Sequence, residues 1–128
     1  PVGAIFVNEP YCSDPQSVDH ALRHFDYASK ENRKIFVFGG MRGQLISPQT
    51  DYRRIGKALA KSNVRHLLLV GQKPFKPLIE EIERHSTETE ILAFEGYEET
   101  FSYLQQHLRG QDLIIFKGES KLPLDQLT

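Results

Sequence analysis

Three observations predict an α/β fold, a Rossmann-like three-layer open sheet, mostly parallel, with helices on both faces. Five apolar runs rich in β-formers alternate with segments whose apolar residues recur at helical spacing. The runs are nearly continuous hydrophobes rather than alternating ones, as in strands covered on both faces. The 128 residues accommodate five such units as a single domain, 1–128, large enough to bury a core without disulfide or metal staples.

Val2 to Asn8 reads as the first strand, centred on Ile5-Phe6-Val7. Asp14 and Pro15 supply an N-cap and a first-turn proline for a helix from Gln16 to Ser29, with Val18, Ala21, Leu22, Phe25 and Ala28 on one face. After a polar turn at Lys30 to Arg33, Lys34 to Phe38 forms the second strand and ends in Gly39-Gly40, where the backbone can be approached closely. Met41 to Pro48 is a loop, and a helix from about Gln49 to Lys61 turns Tyr52, Ile55, Ala58 and Leu59 inward. His66 to Gly71 is the third strand, followed by a helix carrying Leu78, Ile79 and Ile82. Glu90 to Phe94 is the fourth, and the helix after Gly96-Tyr97 presents Phe101, Leu104 and Leu108. Asp112 to Phe116 is the fifth, ending in Lys117-Gly118, and Glu119 to Thr128 adds a short strand or turn.

Composition narrows the function. Lys plus Arg number 16 against 17 for Asp plus Glu, a net charge of -1 that offers no field for nucleic acid or an anionic membrane. No apolar stretch reaches membrane-spanning length. A single cysteine precludes an internal disulfide, and with no signal-peptide pattern the expected location is the cytoplasm. The chain opens on Pro1 and enters a strand within a few residues, so it is expected to be excised from a longer protein.

Sheets of this kind bind ligands beyond the carboxyl ends of their strands. Those ends are Glu9 to Asp14, Gly39 to Leu45, Gly71 to Phe75, Phe94 to Tyr97 and Lys117 to Lys121. Cys12 precedes a helix start, where the dipole lowers a thiol pKa, but no arginine follows to close a phosphatase-type cradle. His20 and His24 have metal-ligand spacing, yet they fall beside the apolar stripe among Asp19, Arg23 and Asp26, as on a solvated face. His66, His85 and His107 have no clustering partners in sequence, so no metal is assigned. Arg53, Arg54, Lys57 and Lys61 read as a solvated basic face. A phosphoacceptor receiver domain shares the element count, but Val70-Gly71-Gln72 stands where its aspartate belongs. Neither G-x-G-x-x-G after the first strand nor G-x-x-x-x-G-K-[ST] is present, so the chain is not expected to bind and hydrolyse ATP by itself.

Taken together, the strand-end loops resemble the C-terminal domain of the Mur ligases, most closely the branch that adds D-alanyl-D-alanine to UDP-muramoyl-tripeptide. That branch's first loop runs roughly Asp-Ser-Tyr-Asn-Ala-Asn-Pro-x-Ser. Glu9 to Ser17 keeps the tyrosine, proline and serine in register as Tyr11, Pro15 and Ser17. Gly39-Gly40-Met41 matches the second loop's Gly-Asp-Met, and Tyr52-Arg53-Arg54-Ile55-Gly56 its His-x-x-Ile/Val-Gly. Val70-Gly71 ends the third strand, and Phe116-Lys117-Gly118-Glu119-Ser120 matches Val-Lys-Gly-Ser-Arg.

The resemblance implies a mobile domain hinged to a central ATPase domain that carries the phosphate loop, magnesium ligands and catalytic lysine. The fold would close over ATP and bring an amine to an acyl phosphate, contributing positioning and exclusion of water rather than a catalytic residue of its own. By position, Glu9 replaces the aspartate used on the nucleotide ribose, with Tyr11 and Asp14 in the same pocket; Lys117, Gly118 and Ser120 face the carboxylate of the incoming amino acid or dipeptide. ATP and Mg2+ belong to the parent protein, none being intrinsic to this chain. The implied partners are UDP-muramoyl-peptide, D-alanyl-D-alanine or another amine, and the missing N-terminal and central domains. Cys12 and Asp14 stand for asparagines, Gly40 for an aspartate, Gly43 for a glutamate, Tyr52 for a histidine and Glu119 for a serine. Such departures leave open a different amine, a degenerate ligase domain, or a non-catalytic α/β binding module.

Overall fold

A computed structural model describes residues 4–10, 15–27, 32–41, 47–85 and 88–118, with the backbone alone for 8–10. Its strands are β1 (Ile5–Pro10), β2 (Arg33–Phe38), β3 (His66–Val70), β4 (Glu90–Phe94) and β5 (Asp112–Gly118). The α-helices are α1 (Pro15–Leu22), α2 (Pro48–Lys61), α3 (Lys76–His85) and α4 (Tyr97–His107). The sheet order is β1-β5-β2-β3-β4, and every neighbouring pair is parallel, so the expected mostly parallel sheet is parallel throughout.

Two cores explain the continuous hydrophobic runs. Phe36, Phe38, Leu67, Leu69, Leu113 and Ile115 face α1, α2 and α3. The residues between them, Ile35, Val37, Leu68, Ile114 and Phe116, face α4 alone. Because side chains alternate across a strand, covering both faces requires apolar residues at every position. On the three-helix side a relay of rings from Phe25 through Phe36 and Phe38 to Tyr52 and Phe75 keeps centroids 5.8–6.4 Å apart, the tilted spacing aromatic pairs prefer.

Several boundaries differ from the sequence reading. β1 runs to Pro10 rather than ending at Asn8, because its pairing with β5 continues through Glu9↔Lys117 and Pro10↔Gly118. Proline is tolerated there because β1 is an edge strand. The first helix is α-helical only to Leu22 and continues as a 3₁₀ turn, Arg23–Tyr27. At three residues per turn Phe25 stacks on the same side as Leu22, which keeps both buried, while Tyr27 is left exposed. α4 begins at Tyr97 itself and stops one residue before Leu108.

Candidate functional site

The carboxyl ends of β5 and β2 lie side by side at the middle of the sheet edge, with Lys117 opposite Phe38 and opposite Glu9. The Gly39 N–H donates to the Lys117 carbonyl at 2.9 Å, extending the β2–β5 ladder one step past the strand. Alternation puts the Lys117 side chain on the three-helix face, the face of Leu113 and Ile115. Only 5% of Lys117 is exposed, and among the described residues no carboxylate pairs with it. A nearly buried ammonium is costly unless an anion compensates it, so the site favours an anionic group.

Close approach at the glycines is made by side chains of this chain. A Cβ at Gly39 would collide with the Tyr97 hydroxyl, and one at Gly118 would stand 2.9 Å from the same oxygen and 2.8 Å from Phe116 Cζ. Gly40 adopts φ +91°, open to glycine and strained for most residues. The Lys73 stem and the Tyr52 hydroxyl crowd it, at 2.7 and 3.1 Å from where a Cβ would be. The Tyr52 hydroxyl also accepts from the buried Met41 N–H at 3.1 Å, fixing the start of the loop after β2.

Of the sequence-assigned residues, the fold brings together Lys117, Gly118 and the backbone of Glu9. The Glu9 side chain, Tyr11, Asp14 and Ser120 lie outside the described residues, as do Cys12 and Gly43. Sequence reasoning placed Lys73 and Tyr97 at this edge through the loops after β3 and β4, since every such loop ends at the same edge of a parallel sheet, but gave neither a role.

Elsewhere the structure corrects one reading and adds to another. Arg53 belongs to a buried ion cluster rather than a merely solvated face: its Nη1 donates to Glu81 Oε1 at 3.0 Å. Glu81 is 0% exposed, and Arg84 Nη1 and His85 Nε2 stand 3.1 and 3.3 Å from its oxygens. The Arg53 hydrogen bond holds its carboxyl below the ordinary value near 4.5, against burial, which pushes it up. Second, His66 and His107, distant in sequence, line one cleft of about 550 Å³ with Arg33, Glu90 and Tyr103. That cleft lies at the amino ends of the strands, away from Lys117. Its Arg33 is committed to Asp112, at 3.0 and 2.7 Å, and to the His107 carbonyl.

Residues 6–120 match the family described as Mur ligase, glutamate ligase domain. The chain belongs to the Mur ligase family. No curated protein sequence matches it. Among solved structures, MurF from Acinetobacter baumannii superposes with a TM-score of 0.73 at 23% identity, covering 99% of this chain and 28% of that one. MurF ligase from Thermotoga maritima in complex with ADP gives 0.68 at 16% identity over 91% of this chain and 25% of its own. A UDP-N-acetylmuramoyl-L-alanyl-D-glutamate–2,6-diaminopimelate ligase gives 0.62 at 11% identity over 92% and 24%. The Mur ligase domain thus spans about a quarter of the length of these relatives, and at such identities the likeness establishes the fold.

Two positions that the resemblance singled out, Gly40 and Tyr52, lie in contact: the Tyr52 hydroxyl, with the Lys73 stem, occupies space that a side chain at residue 40 would need.

Proposed function

We propose that this Mur ligase domain is the C-terminal domain of an ATP-dependent amide ligase of peptidoglycan precursor synthesis. In that role its strand-end edge holds the incoming amino acid or dipeptide, D-alanyl-D-alanine by resemblance, while the domain closes over ATP. The reaction joins the carboxylate of a UDP-muramoyl-peptide to the amine, converting ATP to ADP and phosphate through an acyl phosphate.

The observation that carries this reading is Lys117, a nearly buried cation with no acidic partner among the described residues, at the centre of the sheet's carboxyl edge. Its ammonium suits the carboxylate of an amino acid or dipeptide, with the Gly118 backbone beside it by resemblance. Ser120 would add a hydroxyl donor, while Glu9, Tyr11 and Asp14 would take the nucleotide ribose. The described donor set at this edge is cationic and fits anionic groups of a substrate. A cationic edge does not suit magnesium, and by resemblance the metal and the triphosphate belong to the central domain. The edge supports positioning: holding the amine near the acyl carbon and keeping water out.

Phosphate release by the full-length protein carrying this domain tests the reading, with ATP, magnesium and UDP-muramoyl-tripeptide, in the presence and absence of D-alanyl-D-alanine. Release that requires the dipeptide is expected. Release with another amine would reassign the substrate, and none with any amine would make this a non-catalytic or degenerate domain.

A further inference from the structure

We infer that Tyr97 is a positioning residue that sets the Lys117 ammonium for the amine substrate from the opposite face of the sheet; this rests on the role proposed for Lys117. Tyr97 opens α4, and its ring packs edge-on against Phe116 at 5.5 Å and 70°. Phe116 is fully buried, so the ring has a fixed wall to lean on. From there the hydroxyl reaches the backbones of both strand ends, contacting Gly39 and lying 2.9 Å from the Cβ position of Gly118. Those two glycines flank Lys117 in space: Gly118 is its chain neighbour, and Gly39 donates to its carbonyl at 2.9 Å. Lys117 projects to the three-helix side and Tyr97 lies in the α4 core, so the tyrosine acts through the backbone between them.

The absence of side chains at residues 39 and 118 is what admits the hydroxyl. If glycine served only a passing ligand, the space behind it would be open, as at Gly71 and Gly96, where a Cβ would meet nothing within 4 Å. At Gly39 and Gly118 that space is filled by one phenol. The strand end is therefore seated on Tyr97, and its height above the sheet, with that of Lys117, depends on that oxygen.

The test compares Tyr97→Phe, Lys117→Ala, Gly39→Ala and the double variant Gly39→Ala/Tyr97→Phe in the full-length protein, with KM for D-alanyl-D-alanine and for ATP, kcat and thermal midpoint as readouts. Tyr97→Phe keeps the ring and removes the oxygen. It should raise the KM for the dipeptide about three- to tenfold, as displacement of a positioning group by a fraction of an ångström does, with the KM for ATP and the thermal midpoint unchanged. Gly39→Ala alone should be more damaging than in the Tyr97→Phe background, where the colliding oxygen is gone. If Tyr97→Phe leaves the dipeptide KM unchanged while Lys117→Ala raises it, the inference fails and the Lys117 reading stands. If Lys117→Ala has no effect, the reading beneath it fails. Equal rises in both KM values for Tyr97→Phe would mean a general structural role and would also overturn the inference.

Discussion

Two buried charges divide the Mur ligase domain. Glu81, in the α2–α3 interface, is ringed by Arg53, Arg84 and His85. Lys117, at the end of β5, has no carboxylate partner among the described residues. Both places use a glycine to admit a close approach: Gly56 lets α2 approach the Leu78 carbonyl, with a Cβ position only 2.5 Å from it, and Gly39 admits the Tyr97 hydroxyl. At the helix interface the carboxylate is met by cations from its own chain: Glu81 Oε1 accepts from Arg53 and Arg84, and Oε2 has His85 Nε2 at 3.3 Å without a hydrogen bond among the described residues. At the strand end no described carboxylate pairs with the cation, an arrangement open to an anion supplied from outside the described residues.

The comparison predicts opposite responses to removing each charge. In the full-length protein, Lys117→Met should raise the KM for the amine substrate about 10- to 100-fold, the range for losing a hydrogen bond to a charged group. The thermal midpoint of the same variant should hold or rise, since an apolar stem replaces a nearly buried ammonium that no described carboxylate pairs with. A fall in midpoint with unchanged kinetics would make Lys117 a structural residue like Glu81 and erase the distinction.

Gly56→Ala probes the other side. The added methyl meets the Leu78 carbonyl and Glu81 Cβ, so α2 and α3 must separate. Overpacking of this kind costs about 1–3 kcal/mol, only partly offset by alanine's better helix propensity. Urea unfolding would measure it, and a neutral or stabilising result would show that the helices slide apart freely.

Glu81→Gln is a smaller and more specific change. The folded-state pKa of Glu81 lies below its unfolded value near 4.5, chiefly through Arg53. Its stabilising contribution is therefore complete above that value and lost as pH falls through the lower folded one. The variant should be less stable at neutral pH and show a shallower acid limb in midpoint-against-pH measurements. Parallel curves for the two proteins would remove Glu81 from the acid response.

The fold was legible because burial on two faces leaves its mark at every strand position, so Leu67-Leu68-Leu69 could be assigned without knowing what covered it. The strand ends were less so. Lys117 stood out through its place after the last strand and its resemblance to a family motif, whereas Tyr97 was placed at the edge by its loop alone, with nothing to give it a role. Its importance arises from a contact with Gly39, which depends on β5 being inserted between β1 and β2. Helical spacing likewise placed Leu78 and Ile82 in the core but not Glu81, because a charge is buried only if its partners arrive from other turns and from α2. The switch from α-helix to 3₁₀ turn after Leu22 was invisible for a related reason: both conformations bury Phe25.

The smallest expected effect comes from the end of the sheet opposite Lys117. The Nδ1 of His66 is buried without a hydrogen-bond partner among the described residues. Burial lowers its pKa from 6.5, the Arg33 guanidinium and more weakly Arg65 act the same way, and Glu90 and Asp112 oppose them. Because the fold disfavours the imidazolium, the unfolded chain binds more protons between the folded pKa and 6.5. Stability then rises with pH across that window and is lowest below it. His66→Gln should flatten this limb while leaving the acid limb of Glu81 intact, since that one begins lower, near 4.5. Midpoints collected from neutral to acid pH would separate the two. If the limb below 6.5 persists in His66→Gln, the proton uptake belongs to another histidine, and the amino-end cleft plays no part in the pH response of the domain.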